Sequence, residues 1–263
     1  MKKIFTLLLA LFVFFSPLAS FSPLAAQSLP IQKYYAGLSV LPPNQLLSIA
    51  KAQNLYFRTF KNIPPATCDS GYVLFEDFLI VALDSIDFDL PFKAKDEAYL
   101  NKLKLAGLLV VDNGRLVTVK PDMNYFLTGF RPYLSANMRK YFERIDNENK
   151  EGFISNDSLV ISFAKLAERV LFWDDFYFTS TDFVLTDEVL QQRERYLEAL
   201  IFGEPLSSIW AADDTLRGDV RSALETVQSK ASDGLVKRVV DGYLQVLQSC
   251  NYSKCGRAIG YTW

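Results

Sequence analysis

The sequence predicts a mainly α-helical protein with a small α+β part toward its N-terminus. Three observations carry this. Apolar residues recur three and four apart through the second half of the chain, which is the spacing of one buried helix face. A single Asn-Gly pair, Asn113-Gly114, sits between two short apolar runs, the pattern of a β-hairpin. Half of the 263 residues are hydrophobic and 14% are aromatic, enough apolar side chain for a substantial core and too much for a disordered chain.

Taken in order, the first helix is expected from Leu41 onward. Pro42-Pro43-Asn44 precedes Leu46, Leu47, Ile49 and Ala50, and proline or Asn suits a helix start. The aromatic run Leu55–Phe60 continues it, and Ile63-Pro64-Pro65 ends it, because a residue before proline avoids helical angles. Tyr72 to Leu83 is apolar apart from Glu76 and Asp77, and its length favours a helix closed by Asp84, Asp87 and Asp89. From Asp96, Leu100, Leu103 and Ala106 keep helical spacing and Gly107 suits the end. Leu108–Val111 and Leu116–Val119 then form the hairpin. A helix followed by a hairpin resembles the last helix and wing of winged-helix domains. The resemblance covers a small part of the chain and implies architecture only.

Beyond a boundary near Pro121–Pro132 the chain reads as a helical bundle or array from about Leu134 to Cys250. Tyr133–Ile145 is one helix. Leu159, Phe163, Leu166, Val170 and Trp173 form an apolar stripe on the next, with Asn156-Asp157-Ser158 as its cap. Asp187–Phe202 follows, ended by Gly203 and Pro205. Leu216, Val220, Ala223, Leu224 and Val227 mark another helix. Val236, Val240, Tyr243 and Leu247 mark the last, capped by Ser232-Asp233. The expected organisation is a leader at 1–26, an α+β region at 27–130 and a helical region at 131–263.

The leader is the strongest functional signal. Met1-Lys2-Lys3, the apolar run Ile4–Phe15, a break at Ser16-Pro17 and small residues ending at Ala26 follow the order of a secretory signal peptide. The apolar run falls short of the about 20 residues that a membrane span needs. We therefore expect an exported protein, periplasmic or secreted, with no stable membrane span once the leader is removed. Retention of the leader as an anchor is the rival reading.

Composition narrows the chemistry. The chain has no histidine, which excludes Ser-His-Asp and Cys-His catalysis, histidine-bound metals and imidazole pH switching. Without Lys2 and Lys3 the chain holds 26 basic against 30 acidic groups. It lacks the basic stripe that nucleic-acid binding requires. Of the three cysteines, Cys250 and Cys255 are close enough to staple the C-terminal loop, while Cys68 suits a buried position. Three cysteines fall short of a four-ligand zinc site. Neither a metal nor another cofactor is expected.

Four motifs invite a chemical reading. Phe172-Trp173-Asp174-Asp175-Phe176-Tyr177-Phe178 sets aromatic faces beside carboxylates, as a glycan- or peptide-binding cleft does. Trp173, Asp174, Asp175 and Tyr177 are its candidate binding residues. Adjacent residues on a helix do not converge, so Trp173 and Phe176 also suit a core. Asn147-x-Asn149-x-Glu151-Gly152-x-Ile154 resembles an EF-hand calcium loop, but Ser158 stands where a bidentate Glu belongs. Ser-x-x-Lys occurs twice, at Ser48–Lys51 and Ser162–Lys165, without the Lys-Thr-Gly partner of penicillin-interacting enzymes. Glu76-Asp77 places carboxylates inside an apolar run, where burial would raise their pKa. No catalytic residue can be named. The leading expectation is an exported, non-catalytic binding protein whose partner is an envelope protein, a peptide or a glycan. One rival is a histidine-free hydrolase of cell-wall glycans using paired carboxylates. The other is a structural subunit of an envelope assembly, with Tyr34, Tyr35, Tyr56 and Phe57 at an interface.

Overall fold

A computed structural model describes residues 28–88, 96–112 and 117–254. The leader at 1–26, the hairpin turn at Asn113-Gly114, and Asp89 and Cys255 lie outside the described residues. The protein is mainly helical, with ten helices and two short two-stranded antiparallel sheets among those residues. The residues fall into two compact units, one ending at Tyr133 and the other beginning at Leu134.

In the first unit, α1 spans Leu29–Ser39, α2 Leu46–Thr59, α3 Pro65–Ser85 and α4 Glu97–Leu105. Strands β1 (Leu108–Asp112) and β2 (Val117–Pro121) follow, then α5 (Met123–Phe130). The strands pair antiparallel with Val110 opposite Val119, as the apolar runs predict; Leu116, where the second run was expected to start, lies outside the described residues. Helix α3 begins at Pro65, earlier than the apolar run suggested. Proline is acceptable in a first turn because the missing N–H would be unpaired there anyway. The Ile63-Pro64-Pro65 segment therefore does more than close α2; it also opens α3. Helices α1 and α5 carry no element prediction from the sequence.

The core of this unit is aromatic. Phe130 is fully buried, with Tyr56, Phe57, Tyr72 and Phe75 at ring-centroid distances of 4.6, 5.3, 4.9 and 4.7 Å. These separations suit edge-on and tilted aromatic pairs. The buried hydroxyls are satisfied by backbone: Tyr34 Oη donates to the Ala52 carbonyl at 3.2 Å and Tyr56 Oη to that of Cys68 at 3.0 Å. At Gly71 a Cβ would stand 2.3 Å from the Phe60 ring, so only glycine lets α3 approach that side chain.

The second unit holds α6 (Ala136–Glu151), the two-residue strands β3 (Ile154–Ser155) and β4 (Ser158–Leu159), α7 (Phe163–Thr179), α8 (Thr186–Phe202), α9 (Gly218–Lys230) and α10 (Leu235–Ser249). Helix α7 is central, packing against both α8 and α9. Of its predicted stripe, Phe163, Leu166, Val170 and Trp173 are buried on the helix, whereas Leu159 lies before it, half-buried in β4. The cap is corrected. Ser162 Oγ accepts from Lys165 N–H at 3.2 Å, and Asn156-Asp157 instead turns the β3–β4 hairpin at φ 49° and 59°. Asn and Asp tolerate the positive φ that such a turn demands, so residues that cap helices also serve here as a turn. The last helix also starts differently: Gly234 precedes α10 and no side chain caps it.

Candidate functional site

The aromatic–acidic segment lies on α7, and its four candidate residues do not share one accessible face. Trp173 and Asp174 are buried, Asp175 is exposed, and Tyr177 is half-buried under the Arg193 guanidinium. Trp173 Nε1–H donates to both carboxylate oxygens of Glu148, at 3.1 and 3.2 Å. Tyr196 Oη donates to Glu148 Oε2 at 2.8 Å, and Arg144 Nε–H to Oε1. Glu148, itself buried, thus accepts from three helices' worth of donors: α6, α7 and α8. This use of its lone pairs is what allows a carboxylate to sit in the interior.

Beside it, the fully buried Arg169 donates to the Gly152 carbonyl at 2.7 Å and to Glu151 Oε2 at 3.0 Å. Hydrogen bonds from Lys165 and then Arg169 hold the Glu151 carboxyl below its ordinary value. A depressed folded-state pKa means stability that is present above about 4.5 and lost as pH falls through the folded value. Glu151→Gln should therefore flatten the loss of stability below about pH 4.5, read from urea midpoints across that range. An unchanged slope would mean that Glu151 contributes nothing to it.

Asp174 is held differently. Burial lifts its carboxyl above the ordinary aspartate range, and Arg193 opposes that shift. The Arg193 Nη1 to Asp174 Oδ1 distance is 3.6 Å, too long for a hydrogen bond. Both Asp174 oxygens are buried and neither accepts a hydrogen bond from the described residues.

The other motifs resolve into local structure. Helix α6 continues through Glu151, so Asn147, Asn149 and Glu151 occupy a helix, where residues two apart point away from one another. Among the described residues no group of three or more His, Cys, Asp or Glu side chains could hold a metal ion. Ser162-x-x-Lys165 is the capping pair of α7. In the other copy Ser48 is buried while Lys51 is exposed. Asp77 lies on the exposed side of α3, although partial desolvation still raises its carboxyl pKa. Tyr34 and Tyr56 are core residues, Tyr35 is exposed and Phe57 is half-buried.

A groove of about 680 Å³ opens in the first unit. Helix α2 supplies Ala50, Gln53, Asn54 and Phe57 to it; α5 and its cap supply Asp122, Asn124, Tyr125, Thr128 and Gly129; Leu105 closes one end. Its geometry begins at Gly107, whose φ of 75° turns the chain at the end of α4. A Cβ there would stand 2.5 Å from Tyr125 and 2.6 Å from Phe126, so glycine is required for α5 to lie this close. The Gly107 carbonyl accepts from Asp122 N–H at 2.7 Å, Asp122 Oδ1 caps α5 by accepting from Tyr125 N–H at 3.1 Å, and Tyr125 Oη donates to the Leu105 carbonyl at 3.2 Å.

Gln53 is the unusual member. It occupies the buried stripe of α2 with Ile49, Ala52 and Tyr56, at 8% exposure, yet its carboxamide has no hydrogen-bond partner among the described residues. Its amide atoms are not sealed from solvent, so water can satisfy them. Its remaining exposure is toward the groove that it lines. The signal for it in the sequence is weak: a glutamine on a helix face that Ile49, Ala52 and Tyr56 share with Ser48.

Cys68 is a free, buried thiol on α3, donating to the Ile63 carbonyl at 3.4 Å. Burial pushes its pKa up to about 11, which leaves almost no thiolate at neutral pH. With Cys68 isolated, an internal disulfide in this sequence can only join Cys250 to Cys255. We expect one titratable thiol per chain in denaturant without reductant and none in the folded protein; three thiols in denaturant would rule the bridge out.

Among the described residues no helix is long and apolar enough to cross a membrane. No protein-family model, curated protein or solved structure matches the chain.

Proposed function

We propose that the chain is an exported, non-catalytic binding protein of the cell envelope or extracellular space, and that it holds a neutral polar ligand in the groove between α2 and α5. The observation that carries this reading is the unpartnered Gln53 carboxamide at the groove. A ligand group that hydrogen-bonds this amide takes the place of solvent at a side chain already fixed in the packed face of α2. The leader at 1–26 supports export. Three further features support binding over turnover. The chain has no histidine. Among the described residues one carboxylate, Asp122, lines the groove, and it already caps α5. Glycan hydrolysis by paired acids needs a second carboxyl about 5–10 Å away across the cleft. The buried acid Glu148 is committed to structural donors.

The test is incubation of the purified protein with insoluble cell-envelope material. The expected result is retention of the protein in the pellet with no soluble fragments released. Steady release of fragments would replace this reading with the hydrolase.

A further inference from the structure

We propose that the outward face of α3 docks an amphipathic helix of a partner protein, one that presents lysine or arginine at two positions seven residues apart. This face is separate from the groove, to which α3 supplies none of the lining residues.

Helix α3 is apolar on both sides. Its inner side carries Cys68, Tyr72, Phe75, Leu79 and Ala82 into the core of the first unit. Helical rotation of about 100° per residue puts Val73, Asp77, Ile80, Val81 and Asp84 on the opposite side. Val73 is half-buried and the other four are exposed, Ile80 at 41% and Val81 at 52%. Single exposed apolar side chains are ordinary; these share one stripe. Val73, Asp77, Ile80 and Asp84 follow one another at intervals of four, three and four, the seam of two helices in lengthwise contact. An extended partner rises about 3.3 Å per residue, against about 1.5 Å for a helix, and keeps no such register.

Charge selects the partner. The charged residues of α3 are Asp69, Glu76, Asp77 and Asp84, and the helix has no lysine or arginine. On other helices a carboxylate meets a base one turn away: Asp146 pairs with Lys150, Glu225 with Arg221 and Asp241 with Lys237. Asp77 and Asp84 have no such pair among the described residues. Asp77 sits one turn from Val73 and one turn from Val81, and partial desolvation raises its carboxyl. A cation set against it restores the charged form. The two carboxylates stand about 10.5 Å apart along the axis, at about 1.5 Å per residue, so one partner helix meets both with bases at i and i+7. A second copy of the chain fits poorly, because α3 against α3 sets carboxylates against carboxylates along the seam.

The experiment titrates the purified protein with three synthetic peptides and follows the amide resonances of α3. The first peptide is a three-heptad helix with leucine and lysine alternating along its seam. The second has glutamate in place of each lysine, and the third is the lysine peptide broken by a central proline. The lysine helix is expected to shift Val73, Asp77, Ile80, Val81 and Asp84 and to bind at least tenfold more tightly than either control. Salt at about 1 M, where screening acts within about 3 Å, should weaken it at least tenfold. So should Asp77→Asn combined with Asp84→Asn, both at exposed positions, with an unchanged circular dichroism spectrum. Ile80→Ser should weaken it several-fold, which attraction between opposite charges alone would not produce. Equal binding of the glutamate peptide would overturn the charge matching and with it the proposal. Equal binding of the proline peptide would overturn the helix and leave an extended segment as the occupant. A dimer in light scattering whose interface shields the α3 amides would assign the face to a second copy instead. Shifts confined to residues outside α3, or none with any peptide, would also overturn it. Retention on envelope material decides the groove reading separately from all of these.

Discussion

Replacing Glu148 with alanine is expected to destabilise the second unit by about 3–5 kcal/mol, because it takes the acceptor from two buried donors and one partner from the half-buried Arg144. Arg144 keeps Glu168 at 3.1 Å, so part of its charge remains compensated. Trp173 Nε1–H and the Tyr196 hydroxyl lose their Glu148 acceptor. The companion change Trp173→Ala should cost about the same, 3–5 kcal/mol, for a different reason: it opens a cavity beneath a fully buried indole. Trp173→Phe separates the two effects. It keeps most of the volume and removes the donor, and is expected to cost about 1.5–3 kcal/mol, the range for a hydrogen bond to a charged group. Urea unfolding followed by far-ultraviolet circular dichroism measures all three. A Glu148→Ala variant within about 0.5 kcal/mol of the parent, the size of an ordinary surface change, would show that the network contributes no net stability.

Phe130→Ala is expected to cost the first unit about 3–5 kcal/mol. The residue is fully buried and is contacted by four rings from α2 and α3. None of these can fill the void without breaking its own contacts; Tyr56, for example, is tied through its hydroxyl to Cys68. Hydrogen exchange gives a unit-by-unit readout. Amides of α2, α3 and α5 should exchange faster by a factor of at least a hundred, about 2.8 kcal/mol at 1.4 kcal/mol per tenfold. Protection confined to its parental level would place the core elsewhere.

The sequence made the helical class and the β1–β2 hairpin legible because both depend on local periodicity. The apolar stripe of α7 is one example, and Leu108–Val111 beside Asn113-Gly114 is another. Helix α5 escaped for a physical reason. Its eight residues lie between Pro121 and Pro132, and a short apolar run there reads equally well as a linker. Asn156-Asp157 misled because Asn and Asp favour both helix caps and positive-φ turns; tertiary placement decides, here through Ser158 and Ser207, whose hydroxyls lie 3.0 Å apart. The candidate groove was less legible still. Its walls come from residues about 75 positions apart, Gln53 and Gly129 among them, and only the folded chain brings the amide to the glycine. Composition favoured binding over histidine chemistry without indicating where binding occurs. The aromatic–acidic segment, the most conspicuous motif, sends Trp173 into the interior because indole and its N–H both find partners there.

Gly129→Ala tests the groove most directly. Within a helix this substitution is intrinsically favourable by about 1 kcal/mol, while the new methyl occupies the space 3.1 Å from Gln53 Nε2 and 3.4 Å from Phe57. The account predicts a thermal midpoint equal to or above that of the parent, together with at least a tenfold loss of retention on envelope material. Full retention with the methyl in place would contradict it.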